Sequence, residues 1–89
     1  MITCQIPIVN KLGLHARAAT RLATTAKQFE CGIRAGHNGK LVDARSVMSL
    51  MLLAASQGTL LDFEFDGSDE QQAHDAITAL LADRFGEQE

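Results

Sequence analysis

Hydrophobic and polar residues alternate in two stretches of the chain. Residues 2–8 alternate isoleucine or cysteine with polar residues and Pro7, and residues 61–66 alternate leucine or phenylalanine with acids. A period of two predicts strands with one covered face. Because proline cannot donate a hydrogen bond to a neighbouring strand, Pro7 favours an edge position for the first of them.

Three other stretches repeat their apolar residues at helical spacing. The first helix begins at Ala16, and its apolar positions run to Phe29. Ser46 is a favoured N-cap and predicts a second helix over residues 47–55. Ser68 and Gln71 form a capping-box pattern that predicts a third helix. It should end before Gly86, and we expect the tail to be frayed.

The remaining strands are predicted around a short turn. Residues 31–35 and 40–43 flank His37, Asn38 and Gly39, and an Asn-Gly pair is a strong hairpin signal. The element order is therefore strand, helix, strand, strand, helix, strand, helix. This order predicts one α+β domain over residues 1–89, a two-layer sandwich in which helices cover one face of a four-stranded antiparallel sheet.

Charge is distributed unevenly along the chain. Residues 1–45 contain seven basic and two acidic side chains, whereas residues 46–89 contain one basic and nine acidic side chains. If the basic groups share a face, that face attracts an acidic partner; otherwise they form an ordinary solvated surface. Aromatic residues make up 4% of the chain, with no Trp or Tyr, which argues against nucleic-acid binding by base stacking.

The cysteines and histidines give no sign of a metal or other cofactor. Cys4 and Cys31 lack metal-ligand spacing, and the three histidines are scattered. We expect reduced thiols, with His37 and His74 on the surface.

Met1 leads directly into strand-like sequence, without a leader or the roughly 20 apolar residues of a membrane span. A cytoplasmic protein without membrane insertion is expected.

If the first helix begins at Ala16, His15 is its N-cap or the residue before, and this position suggests chemistry. Free backbone N–H groups at a helix N-terminus attract an anion. The same positive end, with Arg17 nearby, favours a neutral imidazole, whose lone pair is nucleophilic. His15 and Arg17 could therefore carry a phosphoryl group covalently. The alternative is that His15 only caps the helix and Arg17 is a solvated residue of its first turn.

Two surfaces beside His15 are candidates for partner binding. The second helix is apolar nearly all round over residues 47–53, so some of its side chains must face water or a partner. Polar residues recur at helical spacing on the exposed side of the first helix and form a candidate recognition stripe for acidic partners. The stripe consists of Thr20, Arg21, Thr24 and Lys27.

Three segments of the chain read NKLGLHARAAT, NGKLVDARSVMSLM and ASQGT. Together they resemble the histidine-containing phosphocarrier family HPr of the bacterial phosphotransferase system. The resemblance implies a sheet of order 1-4-2-3. It also implies that enzyme I, charged by phosphoenolpyruvate, phosphorylates Nδ1 of His15 and that enzyme IIA proteins accept the group. Arg17 would neutralise the phosphoryl charge, and a dedicated HPr kinase/phosphorylase would act on Ser46.

The resemblance also implies roles for side chains of the second helix, and the sequence departs from the family pattern at two positions. It implies that Leu50 and Leu53 face the sheet, while a docking patch is formed by Val47, Met48 and Met51. Ala18 replaces the proline that usually follows the arginine, so we expect some loss of rigidity in the first turn. Ala54 replaces a glycine that many relatives have, and we interpret it as a better helix former.

The family implies a monomeric carrier that other enzymes phosphorylate and that has no turnover of its own. An acyl-phosphate hydrolase is an alternative, but it would place the first strand inside the sheet. A regulatory module that has lost the ability to transfer a phosphoryl group is another alternative, although it would typically lack His15.

NKLG and the tail RFGEQE resemble the nitrogen-related branch, while DARSVMSLM fits carriers governed by the kinase, as in sugar transport. Both branches remain open.

Overall fold

The computed structural model describes residues 1–88 and has the predicted element order. The strands are β1 (Ile2–Pro7), β2 (Gly32–His37), β3 (Lys40–Asp43) and β4 (Leu60–Asp66). The helices are α1 (Ala16–Ala26), α2 (Val47–Leu52) and α3 (Glu70–Ala82), followed by a 3₁₀ turn over Arg84–Gly86.

The four strands form one antiparallel sheet of order β1-β4-β2-β3. Strand β1 is at the edge, as Pro7 predicted, and Pro7 lies opposite Leu60 on β4. The order agrees with the one that the family resemblance implies. It differs from the interior first strand expected of the alternative hydrolase.

A two-residue turn joins β2 to β3 and sets their register. Asn38 and Gly39 both have positive φ, 57° and 80°, as a type I′ turn requires. His37 and Lys40 pair directly across the hairpin. The Asn-Gly prediction is confirmed.

Apolar side chains from the alternating strands and from one face of α1 pack together in one hydrophobic core. On β4, Leu61, Phe63 and Phe65 are buried, while Asp62 and Glu64 are only half-buried. The buried face of α1 consists of Ala18, Ala19, Leu22, Ala23 and Ala26. The four alanines in this set allow α1 to lie close to its neighbours, which holds its N-terminus in a fixed place.

The second helix is shorter than predicted, and this changes the interpretation of Ala54. Helix α2 ends at Leu52, and Ala54 lies beyond it with φ of 53°. This is the left-handed region, which favours glycine because a Cβ atom crowds the following carbonyl there. The interpretation of Ala54 as a helix-favouring residue is therefore wrong.

The start of the third helix also differs from the prediction. Helix α3 begins at Glu70, and Asp69 precedes it; the predicted capping box at Ser68 is wrong. The Asp69 carboxylate instead accepts hydrogen bonds from the backbone N–H groups of Glu30 and Cys31, both at 2.9 Å. It thus ties the start of α3 to the segment before β2.

We expect Ala54→Gly to stabilise the protein. Removing the Cβ relieves the left-handed strain, and the larger entropy of the unfolded chain offsets part of this gain, leaving a net increase of about 1 kcal/mol in the free energy of unfolding. Urea denaturation measures it. Ala79→Gly, at an exposed position within α3, is the matched control and should destabilise by about 1 kcal/mol. Destabilisation by both substitutions would contradict the prediction.

We expect Asp69 to make stability depend on acid pH. The N–H of Glu30 lowers the pKa of the Asp69 carboxyl, and Cys31 adds to this effect. Its contribution is therefore complete above the unfolded pKa of about 3.9 and is lost as the pH falls through the lower folded value. Asp69→Asn should unfold more easily at pH 7 and lose less stability between pH 5 and pH 2. Identical slopes of unfolding free energy against pH for the two proteins would contradict this.

Candidate functional site

The loop before α1 is held against the segment that follows α2. Gly13 has φ of 68°, and a Cβ on it would lie 2.6 Å from the carbonyl oxygen of Ala55. Leu14 is buried, and its N–H donates to the same carbonyl at 2.9 Å. A glycine is required at this close approach, and it fixes the backbone that leads into His15.

His15 is the N-cap of α1, which is one of the two positions predicted for it. Its backbone is extended, with φ of −78° and ψ of −179°, and its Nδ1 atom accepts a hydrogen bond from the N–H of Arg17 at 3.3 Å. The imidazole satisfies one of the donors that a helix N-terminus leaves free. The side chain is 28% exposed, so a partner can reach the ring.

The other ring nitrogen of His15 faces a carboxylate that the sequence did not predict. The Nε2 atom contacts Oε2 of Glu87, and Oε1 of Glu87 accepts from Nδ2 of Asn10 at 2.8 Å. The Glu87 side chain is only 12% exposed. The predicted fraying of the tail is therefore wrong at Glu87, while Glu89 lies outside the described residues.

The Glu87 carboxyl is more acidic than usual despite its burial. Burial raises the pKa of this carboxyl, but hydrogen bonds from Asn10 and His15 and the nearby charge of Arg21 together lower it, and the net pKa is below the ordinary value. Glu87 is therefore ionised near neutral pH and presents a negative charge to the imidazole.

A cleft of about 770 Å³ opens over His15 and gathers three of the basic side chains of the first half of the chain. It is lined by Lys11, Leu12, His15, Ala16, Arg17, Arg21, Gly86, Glu87 and Gln88. Within residues 1–88, the Arg17 guanidinium forms no ion pair. Arg21 donates to the carbonyl of Phe85. Lys27, Arg34, Lys40 and Arg45 lie outside the cleft, so only part of the basic half shares this surface.

The predicted partner-binding residues lie on α1 and α2 and, apart from Arg21, do not line the cleft. The stripe on α1 is exposed at Thr20, Arg21, Thr24 and Lys27. On α2, Met48 is 69% exposed and Met51 41%, whereas Val47 is half-buried. Leu50 and Leu53 are buried, as the family resemblance implied. Leu52, which is 71% exposed, belongs to the same apolar surface and was not predicted.

Ser46 and the other two histidines have structural partners. The Ser46 hydroxyl oxygen accepts from the N–H of Ser49 at 3.2 Å, which confirms the N-cap. His37 is half-buried, with Nε2 2.9 Å from the carbonyl oxygen of Leu53, and half-buried His74 pairs with Asp75 at 3.0 Å. The expectation of a plain surface residue is therefore wrong for His37, whereas His74 pairs with Asp75 at the surface.

The remaining sequence expectations concern thiols, metals and membranes. Cys4 and Cys31 are free thiols, and burial raises the pKa of each. Over residues 1–88, no group of His, Cys, Asp or Glu is arranged to hold a metal ion. None of the helices in this part of the chain has the length and apolar character needed to cross a bilayer.

Glu87 and Asn10 are the site residues that sequence reasoning missed. Glu87 is 72 positions away from His15, and no periodic pattern connects residues so far apart. One signal was available: Phe85 is an aromatic residue near the end of a chain with only four phenylalanines. It is fully buried and fixes the segment that delivers Glu87.

The family model "PTS HPr component phosphorylation site" matches residues 2–83. The chain is 48% identical to the phosphocarrier protein HPr of Cupriavidus necator over 89 residues, covering all of both chains. It is 42% identical to the phosphocarrier protein NPr of Shewanella violacea over 83 residues, covering 93% of this chain and 91% of that protein.

The fold agrees equally well with a solved structure. The crystal structure of HPr-C-His from Thermoanaerobacter tengcongensis superposes with a TM-score of 0.95 at 38% identity, with both chains fully covered. The sheet order, the N-capping histidine and the matched relatives lead to the same conclusion: the chain belongs to the HPr family of phosphocarrier proteins of the phosphotransferase system.

Proposed function

We propose that Nδ1 of His15 accepts a phosphoryl group from phosphorylated enzyme I and passes it to enzyme IIA proteins. One observation carries the proposal. Nδ1 accepts a hydrogen bond at the N-terminus of α1, so it holds a lone pair at a place where an anion is stabilised. A histidine that only caps a helix would not need the exposed Arg17 beside it.

The transfer uses groups that the fold places before the reaction. The Nδ1 lone pair attacks phosphorus, and the bond from phosphorus to the donor breaks. The N–H of Arg17 then donates to a phosphoryl oxygen instead of to Nδ1, and the guanidinium neutralises part of the charge. No metal or other cofactor enters this scheme. Transfer to the acceptor follows the same steps in reverse.

Docking uses the α1 stripe and the apolar surface of α2. Exposed Met48 and Met51 supply unbranched, adaptable side chains that suit several partners. Arg21 and Lys27 on α1 suit an acidic partner surface.

We propose that residues 1–89 form one carrier domain that acts as a monomer in the cytoplasm. Free thiols at both cysteines agree with that compartment.

Phosphorylation of wild-type protein should depend on His15 alone. Incubation with phosphoenolpyruvate and enzyme I should add one acid-labile phosphoryl group, detected by intact mass. His15→Ala should abolish the adduct. His37→Ala and His74→Ala are the matched controls and should keep it, because both side chains lie outside the cleft. An adduct that survives His15→Ala would overturn the proposal.

We propose further that Ser46 is a regulatory phosphorylation site for an HPr kinase/phosphorylase. Ser46 begins α2, directly before Val47 and Met48 of the docking patch. A phosphoryl group there keeps an acceptor for the helix N-terminus while adding negative charge beside the patch. Inhibition would thus come from repulsion of an acidic partner and not from unfolding.

Ser46→Asp should therefore slow transfer from enzyme I by about tenfold or more without loss of stability. Asp, Asn and Ser cap helices about equally well, so Ser46→Asn is the matched control and should keep both transfer rate and stability. Transfer assays that are quenched at timed intervals measure the rate, and thermal melts measure the stability. Equal rates for the Asp and Asn variants would contradict repulsion as the mechanism.

A further inference from the structure

The segment that carries Glu87 is fixed by contacts that do not involve His15. Arg84, Phe85 and Gly86 all have positive φ, between 55° and 79°, and this tight turn directs the chain back to the cleft. The Phe85 side chain is fully buried, and its carbonyl accepts from Arg21. The position of Glu87 is therefore set by the fold.

Each oxygen of the Glu87 carboxylate has a separate partner. Oε1 accepts from Asn10, a fully buried residue whose amide also donates to the carbonyl of Gly13 at 2.8 Å. Oε2 faces Nε2 of His15. The same loop that positions His15 thus also aims the carboxylate.

These contacts select one tautomer of the imidazole. A carboxylate can only accept, so Nε2 carries the proton and donates to Glu87. The N–H of Arg17 can only donate, so Nδ1 carries the lone pair. The ring is therefore held from both sides in the form whose nucleophilic atom is Nδ1.

We propose that Glu87 is a positioning residue for phosphoryl transfer, which holds His15 in its Nε2–H tautomer and stabilises the ring when Nδ1 is phosphorylated. The inference rests on the proposed function. When the Nδ1 lone pair forms the bond to phosphorus, Nε2 keeps its proton and the ring becomes cationic. The Glu87 carboxylate faces that charge directly, in the way that a buried aspartate supports the histidine of a Ser-His-Asp triad.

Two substitutions separate this role from simple anchoring. Glu87→Ala removes the acceptor for Nε2–H. Glu87→Gln keeps the shape, but its single oxygen is held by Asn10, so its NH₂ group faces Nε2 and favours the wrong tautomer. Glu30→Ala is the matched control, since Glu30 is an exposed acid that lies beyond the C-terminal end of α1 and does not line the cleft.

Two measurements decide the question. NMR of ¹⁵N-labelled imidazole in the unphosphorylated protein should show the Nε2–H tautomer in wild type and Glu30→Ala, and a shift toward Nδ1–H in the other two variants. The rate of phosphorylation by enzyme I should fall by roughly 100-fold in Glu87→Ala and at least as far in Glu87→Gln.

The outcomes that overturn the proposal are distinct from those that overturn the proposed function. If Glu87 only anchored the end of the chain, Glu87→Gln would keep the wild-type rate and the wild-type tautomer, and that result would overturn the positioning role. The wild-type tautomer in both Glu87→Ala and Glu87→Gln would also overturn it. If wild-type protein took up no phosphoryl group, the carrier function would fail, while the NMR comparison would still decide what Glu87 does to the ring.

Discussion

The hydrogen bond from the N–H of Arg17 to Nδ1 of His15 is the interaction on which the site depends. The same nitrogen that caps the helix is the proposed nucleophile. Phosphorylation replaces one acceptor with a group whose oxygens can accept from the same N–H. The helix N-terminus therefore has a hydrogen-bond acceptor both before and after phosphorylation. The site needs no large rearrangement between receiving the phosphoryl group and passing it on.

The rest of the fold brings two distant parts of the chain to this hydrogen bond. Gly13 and Leu14 pack against Ala55 and set the approach to the helix. From the opposite side, buried Phe85 turns the chain so that Glu87 reaches the ring. Asn10 contacts both parts through one amide group. The histidine is thus held by long-range packing, although its cap is a local interaction.

Local patterns explain why the strands, the Asn38–Gly39 hairpin and the N-cap at His15 could be predicted from the sequence. Each depends on residues within a few positions of one another. Glu87 could not be found in this way, because its partner is far away along the chain. Ala54 was misinterpreted, and the capping box at Ser68 was wrongly predicted, because local preferences alone were used at both places. At the start of α3, the Asp69 carboxylate is bound by distant backbone N–H groups of Glu30 and Cys31. Ala54 lies past the end of α2 in a left-handed conformation, where helix propensity does not apply.

A carrier must hold its group firmly enough to deliver it and loosely enough to release it. The cleft over His15 is open, and the donors around it are a helix N-terminus and an exposed guanidinium. Such groups stabilise a phosphoryl charge less than a buried, desolvated site would. The apolar side chains of α2 lie outside the cleft, so partner affinity can be adjusted separately from the chemistry. Under the proposed function, a docked partner would complete the surroundings of the phosphoryl group.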